Sequence, residues 1–134
     1  MHLDGFSHPS FIQPGIIALQ AGAFTNQANA EDEIENLDQQ LHDNKDMGGI
    51  PLLVICDDAS FLAESLRNFL WVTFTRCNPS HDIYGIQSFT RNKHWGCKGP
   101  LIIDARIKPH HAPQLIKDSL IEKRVDELLR KEGV

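Results

Sequence analysis

Nothing in the 134 residues approaches the ~20 consecutive apolar positions that cross a bilayer, so no transmembrane segment is expected. Basic charge is scarce: 13 Lys and Arg against 18 Asp and Glu leave a net charge of -5. Without a clustered basic face, nucleic acid is excluded as the main partner. The cysteines, Cys56, Cys77 and Cys97, are odd in number, widely spaced and form no C-x-x-C. That pattern excludes a disulfide framework and predicts reduced thiols in a cytoplasmic protein. Met1-His2-Leu3-Asp4-Gly5 has neither the basic nor the apolar region of a signal peptide, which agrees with a cytoplasmic location. No glycine-rich phosphate loop follows an apolar run and there is no G-x-S-x-G, so a nucleotide site and a serine-hydrolase elbow have no sequence support.

What is present is an ordinary globular composition, 41% hydrophobic and 23% charged, of a length that builds one core. The stretch 49–83 organises the rest. Leu52-Leu53-Val54-Ile55-Cys56 is a short apolar run between Gly-Gly-Ile-Pro and Asp57-Asp58, the pattern of a buried strand. Beyond it Leu62, Leu66, Phe69, Leu70 and Thr73 recur at helical spacing and predict one apolar helix stripe. The aspartates fall at the helix start, where they suit the dipole and can cap free N–H groups. Pro79 then ends the helical region, with Asn78 before it biased away from helix.

Residues 1–15 are rich in turn formers (Gly5, Ser7, Pro9, Ser10, Pro14, Gly15) and are expected to be an irregular lead-in from something upstream, with the domain proper at 16–134. Ile16–Leu19 predicts a strand and Ala28–Leu41 a helix, with Ile34, Leu37 and Leu41 buried and Glu31, Asp32 and Glu33 in its first turn. His42–Gly49 reads as a solvated loop, Ile83–Phe89 as a strand, Thr90–Pro100 as a loop and Leu101–Ile103 as a strand ending at Asp104. Ser119-x-x-Glu122 opens a last helix with Ile121, Val125, Leu128 and Leu129 on its apolar face. This alternation predicts a single layered α/β domain whose mostly parallel sheet is flanked by helices, with α+β as the alternative.

Each candidate site residue has a structural reading beside the functional one. Asp57 and Asp58 occupy a strand-to-helix junction, a common ligand position, but helix capping plus a surface carboxylate is the preferred reading. Arg76 could grip a carboxylate or phosphate through two points, or brace its turn by pairing with Asp82. Lys93, His94, Trp95 and Lys98 mix cations, an imidazole and an aromatic plate in one glycine-containing loop, where contact with a ligand or partner competes with simple anchoring of the loop. His94 and Cys97 lack two further ligands for a metal. His110 and His111 are adjacent, so in extended chain they point apart and read as surface residues.

The stretch Val54–Ile83 resembles the start of the C-terminal domain of the UbiD family of decarboxylases. The resemblance lies in the apolar strand, the acidic pair, the amphipathic helix with Trp71, and the Thr75-Arg76-x-x-Pro79-x-x-Asp82 element. Ile103-Asp104-Ala105-Arg106-Ile107-Lys108 is similar to the family's next block, and Pro113–Leu129, with Lys117-Asp118, to its closing helix. Ala59 stands where a third acid is common and Arg106 where a threonine is often seen. The resemblance covers roughly Ile50–Val134. It implies a parent carboxy-lyase that uses prenylated flavin mononucleotide and a divalent metal, Mn or Mg, on an aromatic or unsaturated acid. A polyprenyl-hydroxybenzoate of ubiquinone synthesis is one such acid. The family's flavin, metal and catalytic residues lie in an N-terminal region without counterpart here. The resemblance therefore implies no catalytic, cofactor-binding or metal residue in this chain, which would lend cleft wall and homo-oligomer contacts to that flavin-binding region. Within it Lys93, His94, Trp95 and Lys98 would face the cleft or a neighbouring subunit, and Asp57, Asp58, Arg76, Asp82, Asp104 and Lys108 would be structural. A stand-alone interaction module without enzymatic activity is the alternative.

Overall fold

A computed structural model describes residues 3–43, 50–109 and 119–131. Five strands form one mixed sheet in the order β1-β2-β3-β7-β4. They are β1 (Phe6–Gln13), β2 (Ile16–Ala21), β3 (Leu52–Cys56), β4 (Ile83–Gly85) and β7 (Leu101–Asp104), and β5 (Ser88–Arg91) with β6 (His94–Cys97) makes a separate hairpin. The central pairings, β2 with β3 and β3 with β7, are parallel, while β1 and β4 close the two edges antiparallel. The α/β expectation therefore stands, and the sheet is mixed rather than mostly parallel.

Alternation along β3 sends side chains to both faces. Leu53 and Ile55 join Leu19 and Ile102 against Ile34, Leu37 and Leu41 of helix α1 (Gln27–Asp43). Val54 and Cys56 join Ala18 and Ala105 against helices α2 (Ala59–Glu64) and α3 (Leu66–Thr75) through Ala59, Leu62, Phe69 and Val72. The central strands are thus covered on both sides, which is why they read as unbroken apolar runs. Helix α4 (Ser119–Lys131) completes the described elements. No helix among the described residues is long and apolar enough to cross a membrane.

Several local expectations are corrected. The turn formers of the first 15 residues do not prevent a strand, because β1 absorbs them as irregularities. Its register with β2 shifts between Ser7 and Ser10, around Pro9 and the left-handed His8, and again between Phe11 and Gln13. The single helix expected after Asp58 is two. Ser65 is extended (φ -159, ψ 154) and its hydroxyl accepts a hydrogen bond from the Asn68 amide at 3.1 Å, capping α3 anew. The break changes which side of the helix meets the sheet: Phe69, Val72 and Thr73 are buried, Leu66 and Leu70 exposed. The strand expected over Ile83–Phe89 bends at Ile86-Gln87, where Ile86 exchanges backbone hydrogen bonds with Gly99 and Pro100 at 3.0 Å. The loop expected at Thr90–Pro100 is mostly the β5–β6 hairpin, turned by Asn92 and Lys93, both with positive φ, as a two-residue primed turn requires. Glu31, Asp32 and Glu33 fall beyond the first turn, since α1 begins at Gln27 with Asn26 accepting from the Asn29 amide. Of the loop expected at His42–Gly49, His42 and Asp43 belong to α1, and residues 44–49 and the capping-box side chains of Ser119 and Glu122 lie outside what the structure describes.

Leu62 is fully buried between α2 and the sheet. Leu62→Ala is expected to lower unfolding free energy by about 2–5 kcal/mol, and Ser65→Ala by about 1 kcal/mol, read from urea denaturation.

Candidate functional site

The buried charged groups among the described residues converge at the C-terminal ends of the parallel strands, the edge at which α/β sheets hold ligands. Gly22 and Phe24 follow β2, Asp57 and Asp58 follow β3, and Asp104 to Lys108 continue from β7. The Ala105 amide donates to the Ile55 carbonyl at 2.8 Å, so the extended course runs on past the strand. In that course Asp104, Arg106 and Lys108 share one face while Ala105 takes the other, in the apolar layer beside α3.

The face that carries the charges is closed to water. Asp104, Arg106, Lys108 and Asp82 are all buried. Arg106 grips the Asp104 carboxylate through Nε at 3.0 Å and Nη2 at 2.9 Å, and its Nη1 donates to the Gly22 carbonyl and to both Glu33 oxygens at 3.1 Å. Burial alone works against the charged guanidinium, but the hydrogen bonds and charges of Asp104 and Glu33 prevail and raise its pKa. The Lys108 ammonium donates to the carbonyls of Asp104 at 2.7 Å, Arg76 at 2.8 Å and Arg106 at 3.1 Å, with Asp82 Oδ2 at 3.4 Å. The Phe24 ring lies 5.6 Å from both cations. These groups are spent on one another. The cluster is a clamp that ties the segments after β2 and β7, the end of α3 and the middle of α1.

The expected Arg76–Asp82 brace does not form. Arg76 at the end of α3 instead faces the β3–α2 junction, 3.7 Å from Asp57 and stacked 5.5 Å from the Trp71 ring centroid. Asp82 turns inward to Lys108 and accepts from the Asn78 amide at 2.7 Å, so the turn is closed by backbone contact rather than by the guanidinium. Asp58 caps α2 by accepting from the Phe61 amide at 3.1 Å, and Asp57 accepts from the Ile107 amide at 2.8 Å.

Lys93, His94, Trp95 and Lys98 stand apart from this cluster, exposed on the β5–β6 hairpin. Trp95 is anchored over Gly85, where a Cβ would come within 2.8 Å of its ring, yet it remains 53% exposed. Among the described residues no group of His, Cys, Asp and Glu is placed to hold a metal. The Cys56 thiol is pushed up to about 12, chiefly by burial and then by Asp57, so it is no thiolate at neutral pH. His110, His111, Lys117 and Asp118 lie outside the described residues. Arg106, Glu33 and Phe24 were not singled out as site residues by sequence. The alternating Asp-Ala-Arg-Ile-Lys pattern is the signal that could have found Arg106; nothing local marks the other two.

No family model matches the chain. It is similar to part of a decarboxylase. Over 87 residues it is 31% identical to one of the subunits of 4-hydroxybenzoate decarboxylase from Chlamydia pneumoniae, a match covering 65% of this chain and 15% of that protein. An uncharacterized protein of Chlamydia caviae is 27% identical over 90 residues, again 15% of its length. The chain thus spans about one-seventh of the curated relatives it matches. Among solved structures, the vanillic acid decarboxylase of Sedimentibacter hydroxybenzoicus aligns with a TM-score of 0.48 and 17% identity, over 85% of this chain and 27% of that one. The UbiD-class enzyme HmfF of Pelotomaculum thermopropionicum, solved in complex with prFMN, aligns at 0.46 and 16%, over 81% and 21%. Likenesses that low leave the topology to rest on the strand pairings described above.

Replacing Arg106 by Met should strand the Asp104 charge in the interior and cost about 3–5 kcal/mol in urea unfolding. Tyr84, the one tyrosine of the chain, accepts a hydrogen bond from Gln27 at 2.7 Å and is pushed up to about 12, mainly by burial, against an ordinary 10.0. Because the folded value is the higher, its contribution to stability should be complete below pH 10.0 and fade as pH rises toward 12. Ultraviolet titration of the phenol should show one ionisation near that value, and a midpoint near 10.0 in the folded chain would contradict the packing.

Proposed function

We propose that this chain is an accessory domain of a larger UbiD-like carboxy-lyase, the part equivalent to the C-terminal α/β domain, and is not catalytic by itself. The observation that carries the reading is the 31% identity to a decarboxylase polypeptide of which the chain spans 15%. The site is in keeping with it: Arg106 and Lys108 are both hydrogen-bonded within the buried cluster, as in a scaffold that shapes loops. In the parent, prenylated flavin and a divalent metal would supply the electron sink for loss of carbon dioxide from an aromatic or unsaturated acid, with quinone precursors among the candidates. The described residues offer the metal no ligating set, and the carboxylates of the cluster are paired with Arg106 and Lys108. The chain's contribution would be a wall of the substrate cleft, with Lys93, His94, Trp95 and Lys98 on the exposed hairpin as contacts to substrate or to a neighbouring subunit.

A second reading, a stand-alone assembly module, is favoured by the number of large apolar side chains left exposed, Phe74, Phe11 and Leu128 foremost. Titration with prenylated flavin and manganese, followed by flavin fluorescence, separates the readings from a misplaced active site. The isolated chain is expected to bind neither and to release no carbon dioxide from 4-hydroxybenzoate. Adding the chain to a flavin-binding region that lacks this domain is expected to restore turnover. Turnover by the chain alone would overturn the accessory role, and failure to restore it would favour the module.

A further inference from the structure

The Arg76 guanidinium is held in place without being used. Its backbone is fixed on both sides: the amide donates to the Val72 carbonyl at 3.1 Å, and the carbonyl accepts from Lys108 Nζ at 2.8 Å. The side chain is only 18% exposed. Its head group lies 5.5 Å from the Trp71 ring centroid, and Nη1 lies 3.7 Å from Asp57 Oδ2. At that separation the two charges attract, but no hydrogen bond joins them. The same Oδ2 already accepts from the Ile107 amide at 2.8 Å. Among the described residues the Arg76 guanidinium therefore donates no hydrogen bond. Arg106, by contrast, spends its N–H groups on Asp104, Gly22 and Glu33. A guanidinium so largely covered ordinarily has its fork of N–H groups met by acceptors.

We propose that Arg76 anchors a binding site for a small apolar carboxylate at the end of β3. The planar fork matches a carboxylate at two points. Trp71 and Ile107 are both exposed, the first against the guanidinium and the second joined to it through Asp57, so they offer apolar surface to the body of the ligand. Asp57 and Asp58 stand beside the site and disfavour a second negative charge, which selects a monoanion over a phosphate dianion. Asp57 is thus a competitor for the guanidinium, held back from it by the Ile107 amide. The position, beyond the C-terminal end of a parallel strand, is one at which α/β sheets hold ligands. The site is separate from the β5–β6 hairpin and does not depend on the decarboxylase reading.

Calorimetric titration of the full chain with cyclohexanecarboxylate tests the proposal. One molecule is expected to bind per chain, with acetate weaker for want of an apolar body and inorganic phosphate weaker again. In two-dimensional NMR the indole N–H signal of Trp71 should move, and that of Trp95, the other tryptophan, should stay in place. Arg76→Lys keeps the charge but loses the fork, and should weaken binding about tenfold. Asp57→Asn removes the competing charge and should tighten it. If far-UV circular dichroism shows that Arg76→Lys does not fold, Ile107→Asp, at an exposed position, serves instead and should abolish binding by repulsion. Absence of saturable binding up to about 10 mM would overturn the proposal, as would unchanged affinity in Arg76→Lys or Ile107→Asp. Weaker binding by Asp57→Asn would overturn it too, by making Asp57 the partner that Arg76 serves. A shift confined to Trp95 would place the ligand on the hairpin, which overturns this site and leaves the accessory-domain reading standing.

Discussion

The pairing of Asp104 with Arg106 holds together the edge at which the parallel strands end. Both are buried, and the two-point contact at 2.9 and 3.0 Å is what makes a guanidinium and a carboxylate tolerable there. Around that pair, Glu33 reaches in from α1, the Gly22 carbonyl from the end of β2, and Lys108 gathers the carbonyls that surround the end of β7. A purely apolar edge could pack these segments, but it would not fix their direction. The charge ladder adds directional contacts, since the two-point grip of Arg106 on Asp104 depends on angle as well as distance.

That constraint explains why a small chain can end its parallel strands in well-placed loops. The sheet interior is ordinary: β3 sends Leu53 and Ile55 to one helical layer and Val54 and Cys56 to the other. What differs is the edge, where the alternation continues beyond β7 with charged groups on one side and Ala105 on the other. In the accessory-domain reading this edge is a frame for a cleft completed by other parts of a larger enzyme.

The central strands were legible because local pattern and tertiary role coincide there. Leu52–Cys56 and Leu101–Asp104 are apolar runs buried on both faces, and few other structures suit such runs. Helix α1 was legible too, through Ile34, Leu37 and Leu41. The first strand was not, because proline and glycine in and beside β1 are accommodated by register shifts that only pairing with β2 reveals. The β5–β6 hairpin was missed because Asn92-Lys93 lacks the glycine that usually marks a primed turn. The two-helix break was hidden because Leu62, Leu66 and Leu70 continue a helical period across Ser65.

The site divides in the same way. By itself the sequence determined that Asp58 stands at a helix start, that no phosphate loop exists, and that the cysteines do not form a framework, since each follows from residue type and spacing. Only the tertiary structure decided the partners. Arg76 meets Asp57 instead of Asp82, and Arg106 joins Glu33, 73 positions away, because strands far apart in sequence end at one edge. A period fixes which face of its own element a residue occupies. It carries no information on which other element will lie opposite, and in this chain that choice set the ion pairs.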